Sequence, residues 1–446
     1  MTASSAGKTG LKLAALAYVF FLSIEALGAG MKASFKDALK TYLHDNAESF
    51  TELMSFVTGI LGTSLVQSSS TVTSMAVVLT QDGTVPLLIA VGIVHGANLG
   101  TSVTSSIVAF FSNIPALPKD PFAAIRALLF APRGPEFERA VSTGVVHGLF
   151  NAVLVTLLLL AVELPFGAIH KLSEVSASAI GTSLQGSAAI MDVMAWVSPK
   201  TWTKPVIGLL LDAGLPGALV VLIGFVLMFI ALRGFSRTMK GVILRGGDHS
   251  TLEAIGDRLL GRTALDTFIR GLLLTILVQS SSATTSMVVP LAALGLFNLR
   301  RILPFILGAN IGTTTTALIA AASDVGGTGF EAGLTIALSH FYLNTAAVIL
   351  VVAVPPLKES VLGVTHWLAK ASAQSPIALI GYLATMAVIV PVVVFTLPNA
   401  VAIALLAAIL AALILIPHIV TMSRRRTPRE ERFPDVNRPV ASGKTR

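Results

Sequence analysis

The sequence predicts an all-α integral membrane protein made of two inverted-topology repeats, whose broken helices form re-entrant hairpins, plus a C-terminal helical hairpin. Three observations predict this fold. Apolar residues make up 54% of the 446 residues and charged residues only 12%, about half the fraction found in soluble domains. Several apolar stretches are long enough to cross a hydrocarbon core of about 30 Å as helices. Two polar motifs each occur twice, at one common spacing.

The charge distribution indicates a membrane protein rather than a nucleic-acid binder. The formal net charge is +8, but the basic residues lie between and after apolar segments, as the positive-inside rule describes. We therefore expect a lipid bilayer and no nucleic acid as partner. The chain contains no cysteine, which excludes disulfides, thiolate metal sites and cysteine nucleophiles.

The apolar pattern divides the chain into ten segments. The first begins after Lys8 and resembles a signal peptide, but Glu25 inside the run favours a true membrane helix. The predicted membrane segments are residues 11–30, 54–80, 86–111, 141–163, 206–232, 264–297, 302–322, 333–354, 377–396 and 399–417.

Comparing the chain with itself reveals an internal repeat. Residues 65–75 read LVQSSSTVTSM and residues 277–287 read LVQSSSATTSM, with nine of eleven positions identical. At the same offset along the chain, HGANLGTSVT at 95–104 matches LGANIGTTTT at 307–316. A third pair, HGLFN from His147 and HFYLN from His340, follows at a somewhat smaller offset. The two halves therefore derive from one repeated unit.

Equivalent loops of the two halves differ in charge, which predicts that they face opposite sides of the membrane. The loop at 112–140 carries four basic residues, whereas its counterpart at 323–332 carries none. We expect a plasma-membrane protein with both termini in the cytoplasm. The predicted regions are an N-terminal cytoplasmic tail 1–10, repeat one 11–165, an external loop 166–205, repeat two 206–356, a transmembrane hairpin 357–418 and a disordered cytoplasmic tail 419–446.

Each QSSS block places an amide and several hydroxyls inside an otherwise apolar segment. Such polar groups need partners from protein, water or a ligand. Broken segments at matching positions of two halves are typical of a transporter binding site, so we predict a helix interruption at each block. The glycines at Gly100 and Gly312 suggest a second break, with Thr101 or Thr313 capping the next helix. Freed amides suit an anion, while hydroxyl, amide and carbonyl oxygens suit sodium.

These motifs, together with FLSIEALGAGMK in the first helix, resemble those of the type II sodium-dependent phosphate cotransporter family, including its bacterial members. The resemblance implies uptake of inorganic phosphate by alternating access, with sodium as the coupling ion and no cofactor. By motif match, the implied substrate and sodium site comprises Gln67, Ser68, Ser69, Ser70, Thr73, Asn98, Thr101, Gln279, Ser280, Ser281, Ser282, Thr285, Asn310 and Thr313. The implied sodium contacts are Gln67, Ser68, Gln279 and Ser280.

The chain departs from the family pattern in two places. Its loop at 165–205 is shorter than that of animal members and lacks their cysteines, and Glu25 stands where the family usually has Asp. An ionisable residue in an apolar run is commonly functional, so Glu25 is a candidate for ion coupling. The recurrent His and Asn of the third motif, at a spacing of four, are expected to make polar contacts between helices.

Three alternatives compete with sodium-coupled phosphate uptake. A serine hydrolase requires a base beside its nucleophile, and neither QSSS block has one, so we expect no enzyme activity. A passive anion channel and a transporter of another tetrahedral oxyanion, such as arsenate or sulfate, remain open alternatives. Neither the coupling ratio nor the oligomeric state follows from the sequence.

Overall fold

The computed structural model describes residues 3–46, 51–81, 83–112, 114, 118–181, 199–246, 256–257, 260–322 and 328–424. These residues form helices and no strand. The first half contains α1 Ala3–Asn46, α2 Glu52–Val66, α3 Ser69–Gln81, α4 Leu87–Gly100, α5 Ser102–Phe111, α6 Pro121–Phe130, α7 Pro135–Leu158, a π-helical turn Leu159–Glu163, α8 Leu164–Phe166 and α9 Ala168–Gly181.

The second half and the C-terminal region repeat this helical construction. They contain α10 Pro199–Asp212, α11 Gly217–Gly246, α12 Ala264–Val278, α13 Ser281–Ala293, α14 Leu299–Gly312, α15 Thr315–Ala321, α16 Phe330–Ala353, α17 Pro355–Gln374, α18 Ile377–Ala384, a π-helical turn Thr385–Ile389, α19 Val390–Thr396 and α20 Asn399–Arg424.

Six helical stretches of the described residues are long and apolar enough to cross a membrane. They are Thr9–Leu27, Leu87–Phe111, Pro135–Phe166, Leu299–Ala321, Phe330–Ala353 and Ile377–Thr396. Each contains or overlaps a segment predicted from the sequence. The all-α membrane class is thus confirmed.

Close backbone contact joins α2 to α4 in the first half. A Cβ placed on Gly96 would lie 1.7 Å from the carbonyl oxygen of Phe56, and one placed on Gly59 would lie 1.9 Å from that of Ile93. Since real Cβ atoms do not approach oxygen this closely, only glycine fits at either position. Small residues that let backbones touch are the usual device for packing helices in lipid.

The second half repeats the same contact between α12 and α14, at the positions that the internal repeat makes equivalent. A Cβ on Gly308 would lie 2.0 Å from the carbonyl oxygen of Phe268, and one on Gly271 would lie 2.0 Å from that of Phe305. The two halves therefore share not only sequence motifs but also the packing of their helix pairs.

The two halves interlock through their short helices. α3 of the first half packs against α15 and α16 of the second, and α13 of the second packs against α5 and α7 of the first. α7 also contacts α14, and α4 contacts α16. These reciprocal contacts bring both QSSS blocks into the interior of the protein.

The structure corrects several boundaries read from hydropathy. α1 runs from Ala3 to Asn46, so residues 3–10 and 31–46 are helical, whereas the sequence predicted a tail and a loop there. The predicted segment 206–232 is two helices, α10 and α11, separated by a turn with Gly214 at φ 82°. α9 and part of α10 occupy the predicted external loop. Hydropathy detects the lipid-facing part of a helix and not its ends, which explains these differences.

In the region of the predicted C-terminal hairpin the structure has α18, α19 and α20, and α17 precedes them as an additional helix. α17 carries Lys358, Glu359 and Lys370, which hide it from a hydropathy scan. It packs against α7 and α20. The predicted tail begins inside α20, and its remainder, 425–446, lies outside the described residues.

Candidate functional site

Both QSSS blocks interrupt a helix, and they do so by the same backbone geometry. Gln67 ends α2 at φ 54° and ψ 25°, and Gln279 ends α12 at φ 54° and ψ 31°. Among the described residues, these two are the only ones other than glycine with positive φ. A left-handed residue is a common way to end a helix, but glycine or asparagine normally supplies it. The interruption predicted at each block is therefore present.

The serine that follows each glutamine begins the next helix. The Oγ of Ser280 accepts a hydrogen bond of 3.2 Å from the backbone N–H of Ala283, and so caps α13. The Oγ of Ser68 accepts from the backbone N–H of Thr71 at 3.2 Å and from its hydroxyl at 2.9 Å. Each break thus joins the carboxyl end of one helix to the amino end of another.

The two blocks contact each other across the halves. The hydroxyl of Ser70 donates to the carbonyl oxygen of Gln279 at 3.2 Å, and the hydroxyl of Ser282 donates to the carbonyl oxygen of Thr101 at 3.3 Å. The Oε1 of Gln67 accepts a hydrogen bond of 3.0 Å from the hydroxyl of Thr104. Two predicted site regions from opposite halves therefore form one polar region.

Several buried hydroxyls around the breaks have no hydrogen-bond partner among the described residues. Those of the hairpins and the adjacent threonine are Thr63, Ser64, Thr275, Ser281, Thr284, Ser286 and Thr313. Because a buried polar group without a partner costs about 1–3 kcal/mol, such a concentration in a folded protein calls for a ligand, an ion or water. Thr63 and Thr275 are equivalent positions of the internal repeat, so the self-comparison could have identified them; the sequence prediction missed both.

Two further predicted hydroxyls are used locally. Thr73 donates to the carbonyl of Ser70 at 3.3 Å, and Thr285 donates to that of Ser281 at 2.8 Å, each on its own helix. Ser69 is buried at 5% exposure. Oxygens engaged in this way still have lone pairs available to a cation.

One helix ends and another begins at each GAN-G-T block, but the prediction that Thr101 or Thr313 caps the second helix is wrong. Thr101 has right-handed helical angles of φ −59° and ψ −30°, and its hydroxyl bonds back to the carbonyl of Ala97 at 2.9 Å. Thr313 is also right-handed at φ −66°, and neither hydroxyl caps the helix that follows. The glycines of these blocks serve close packing instead, since Gly100 and Gly312 lie against α2 and α12.

Asn98 and Asn310 lie in a buried polar cluster one turn before these threonines. The Oδ1 of Asn310 lies 2.8 Å from the Nε2 of His147, and that of Asn98 lies 3.2 Å from the Nε2 of His340. Each pair joins a histidine of one half to an asparagine of the other. Six buried side chains share this cluster: Asn98, His147, Asn151, Asn310, His340 and Asn344. The predicted interhelical role of the third motif is therefore confirmed.

Glu25 is half-buried on α1, which packs along α11. Contact between these two helices is close, because a Cβ on Gly30 would lie 2.7 Å from the carbonyl oxygen of Gly217. The role of Glu25 in ion coupling stays a prediction.

These features define a class of protein. A helical membrane protein whose equivalent broken helices meet in its interior has the construction of a secondary transporter. The family model described as Na+/Pi-cotransporter matches residues 19–161 and 248–364, which is more than half of the chain. The chain belongs to this family.

Similar curated proteins agree with this assignment. The chain is 28% identical over 406 residues to "Sodium-dependent phosphate transport protein 2A" of Mus musculus, covering 77% of this chain and 60% of the relative. It is 25% identical over 422 residues to protein 2B of Homo sapiens, covering 76% and 58%. An 85-residue stretch is 48% identical to protein 2C of Rattus norvegicus, covering 19% and 14%. The chain thus spans less than two thirds of the length of these relatives. No solved structure matches the chain significantly.

Proposed function

We propose that this protein is a sodium-coupled secondary active transporter that imports inorganic phosphate by alternating access, and that phosphate and sodium bind between the two QSSS blocks. One observation carries the proposal: the left-handed breaks at Gln67 and Gln279 adjoin in the interior, amid buried hydroxyls that have no hydrogen-bond partner in the described part of the chain. The names of the curated relatives support sodium and phosphate as the transported ions.

The anion part of the site uses the amino ends of α3 and α13. Both helices start at a QSSS block, so their first N–H groups and positive dipole ends point towards the same region. The hydroxyls of Ser69 and Ser281 add donors for phosphate oxygens, while those of Ser70 and Ser282 hold the site together by donating to the carbonyl oxygens of Gln279 and Thr101. Phosphate therefore binds without a fixed cationic side chain, since neither block contains one.

The sodium part of the site uses the carboxyl ends of α2 and α12. Helix carboxyl ends carry partial negative charge and free carbonyl oxygens. The side-chain oxygens of Gln67, Ser68, Gln279 and Ser280 complete a set of neutral oxygen ligands. Thr73, Thr101, Thr285 and Thr313 lie beside them, and the cluster of Asn98 and Asn310 closes the site on one side.

A binding site without charged side chains explains how the binding of sodium and phosphate is coupled. Sodium lowers the cost of burying the phosphate charge, and phosphate does the same for sodium, so each ion raises the other's affinity by the same factor. A fixed arginine would bind phosphate without sodium and would weaken this dependence.

Two halves of inverted topology allow the site to open alternately to the two sides of the membrane. The repeated helix pairs, the reciprocal contacts between halves and the opposite charges of equivalent loops all support two halves of opposite orientation. In this arrangement α2 and α3 form a re-entrant hairpin from outside, and α12 and α13 form one from the cytoplasm. We place the protein in the plasma membrane with both termini inside. The proposed activity is transport and not catalysis.

The deciding experiment is uptake of labelled phosphate by proteoliposomes that contain the purified chain. We expect accumulation above the external concentration when a sodium gradient points inward, and none with an equal lithium gradient. Empty liposomes and a dissipated gradient are the controls. Downhill phosphate flux that ignores sodium would identify a passive channel instead.

Anion specificity is decided in the same vesicles. Unlabelled arsenate and sulfate are added at increasing concentration against labelled phosphate. We expect phosphate itself to compete most strongly. Sodium-driven uptake of another oxyanion that phosphate fails to inhibit would leave the transporter class intact and reject the phosphate assignment.

A further inference from the structure

A second polar site lies away from the QSSS blocks, at the end of α7. The π-helical turn there places the carboxylate of Glu163 at 1% exposure. It accepts hydrogen bonds from the backbone N–H groups of Ile169 at 2.8 Å and His170 at 3.3 Å, and its Oε1 lies 2.8 Å from the Nδ1 of His170. Gly167, at φ 57°, turns the chain so that α9 starts against this carboxylate.

Glu52, the first residue of α2, brings a second carboxylate to the same place. Ligand atoms of Glu52, Glu163 and His170 all lie within 4.8 Å of one another. The three residues line a cavity of about 400 Å³. Lys171 also lines it, but its ammonium donates to the carbonyl oxygen of Phe166 at 2.9 Å. Two carboxylates and an imidazole therefore lie close together on the surface that lines the cavity.

This arrangement is chemically suited to a divalent metal ion. Two carboxylates this close repel each other, and a bound cation relieves the repulsion. Imidazole nitrogen with carboxylate oxygen is a common ligand set for zinc. Calcium takes six to eight oxygen ligands, so a site that includes imidazole favours a transition metal. The ligands come from three separate elements, α2, the π-helical turn and α9, and the cavity gives an ion access to them.

We propose that Glu52, Glu163 and His170 form a binding site for a divalent transition-metal ion of the Zn²⁺ type. In the orientation proposed above, the site opens to the outside. The ion would join α2 to the corner between α7 and α9. Since α2 ends at Gln67, the metal ties one arm of the first hairpin to the helix beside it and thereby slows phosphate uptake. This last consequence rests on the proposed function, whereas metal binding does not.

Metal binding is tested on the purified full-length chain by titrating Zn²⁺ in a calorimeter and by recording the visible absorption of added Co²⁺. We expect Glu52→Gln and His170→Gln each to weaken zinc binding more than about tenfold, because changes to residues that merely support a metal ligand already cost that much. Glu174→Gln, an exposed acid on α9, is the matched control and should bind like wild type. Elution of each variant as a single folded species by gel filtration checks its structure.

Two results would overturn the site. One is wild-type protein that binds no more zinc than a chain carrying both Glu52→Gln and His170→Gln. The other is a set of Co²⁺ spectra that none of the substitutions changes. Transport is then compared in proteoliposomes with and without external Zn²⁺. We expect zinc to slow uptake by wild type and by Glu174→Gln, and not by Glu52→Gln. If wild-type protein binds one zinc ion per chain and its phosphate uptake is unchanged, the proposed effect of the metal on α2 is rejected. A lack of phosphate uptake without zinc would reject the proposed function and leave the binding result standing.

Discussion

Gln67 and Gln279 hold a left-handed backbone although each carries a Cβ. That conformation costs a residue with Cβ about 1–2 kcal/mol, and glycine adopts it freely. A glutamine kept at both breaks therefore indicates that its side chain is needed there. The side-chain oxygen of Gln67 already accepts a hydrogen bond from Thr104, and its second lone pair can accept another.

This geometry makes glycine the informative substitution. In Gln67→Gly the break is retained and only the amide is lost, so we expect normal folding with phosphate uptake reduced about tenfold or more, equivalent to about 1.4 kcal/mol of binding energy. Uptake at low phosphate in proteoliposomes and thermal unfolding in detergent are measured together. Gln67→Ala serves as the comparison, with equal loss of uptake and a lower melting temperature. Wild-type uptake by the glycine variant would show that only the backbone turn matters.

Individual residues also show how much of the candidate site could be predicted from the sequence. The QSSS repeats predicted the position of both breaks because their polarity conflicts with the surrounding lipid segment. The conformation that makes each break was not predictable, because glutamine has no special preference for positive φ. Likewise, Thr101 and Thr313 look like caps in sequence, yet their backbones are right-handed helical and neither hydroxyl caps the helix that follows.

At the scale of elements, glycine contacts set the helix pairs. Gly59 and Gly96 let α2 and α4 touch, and the internal repeat pairs them with Gly271 and Gly308. Hydropathy alone could not have distinguished these close-packed glycines from the other glycines of the chain. Only the packed structure separates them from Gly381, which has no atom within 4 Å of its would-be Cβ.

We expect Gly96→Ala to be strongly destabilising, by about 3 kcal/mol or more, because overpacking against a backbone carbonyl cannot be relieved by a side-chain rotation. Gly381→Ala is the matched control in α18; it should leave stability unchanged or raise it by up to about 1 kcal/mol, the helix propensity difference. Thermal unfolding with a fluorescent probe in detergent measures both. Equal melting temperatures for the two variants would contradict the close contact.

The ends of the helices also make contacts that could not be predicted from the sequence. Arg133, between α6 and α7, donates to the carbonyl oxygens of Phe110 and Leu128 at 2.9 Å and lies over the ring of Phe137. Burial lowers the pKa of Arg133 to about 10, so it stays charged at neutral pH. The sequence placed this arginine in a loop as a topology signal; the structure shows that it also fastens the ends of three helices.

At the scale of the whole molecule, the property to be tested is the orientation of the two halves in the membrane. Because the sequence contains no cysteine, single introduced cysteines can be labelled selectively. Pro86 and Asn298 are exposed, precede α4 and α14, and occupy equivalent positions of the internal repeat. In inverted halves these equivalent positions lie on opposite sides of the membrane. We therefore expect Pro86→Cys to react with an impermeant maleimide in intact cells, and Asn298→Cys to react only after permeabilisation.

The cysteine-free parent controls for background labelling. A cysteine added in the C-terminal tail, predicted to be cytoplasmic, provides a second inside marker. Labelling of both test positions from the same side would mean that the repeats are parallel, and the access mechanism proposed above would then need another basis.

The exchange of partners in the central cluster has a consequence for ancestry. His147 finds its acceptor on α14 and His340 finds its acceptor on α4, so a polypeptide ending after the first repeat would lack the partners of the His147 imidazole and of the side-chain oxygens of Asn98 and Asn151. Association of such a half-length protein with another copy of itself would supply these partners. Gene duplication and fusion would then have turned a contact between subunits into a contact within one chain.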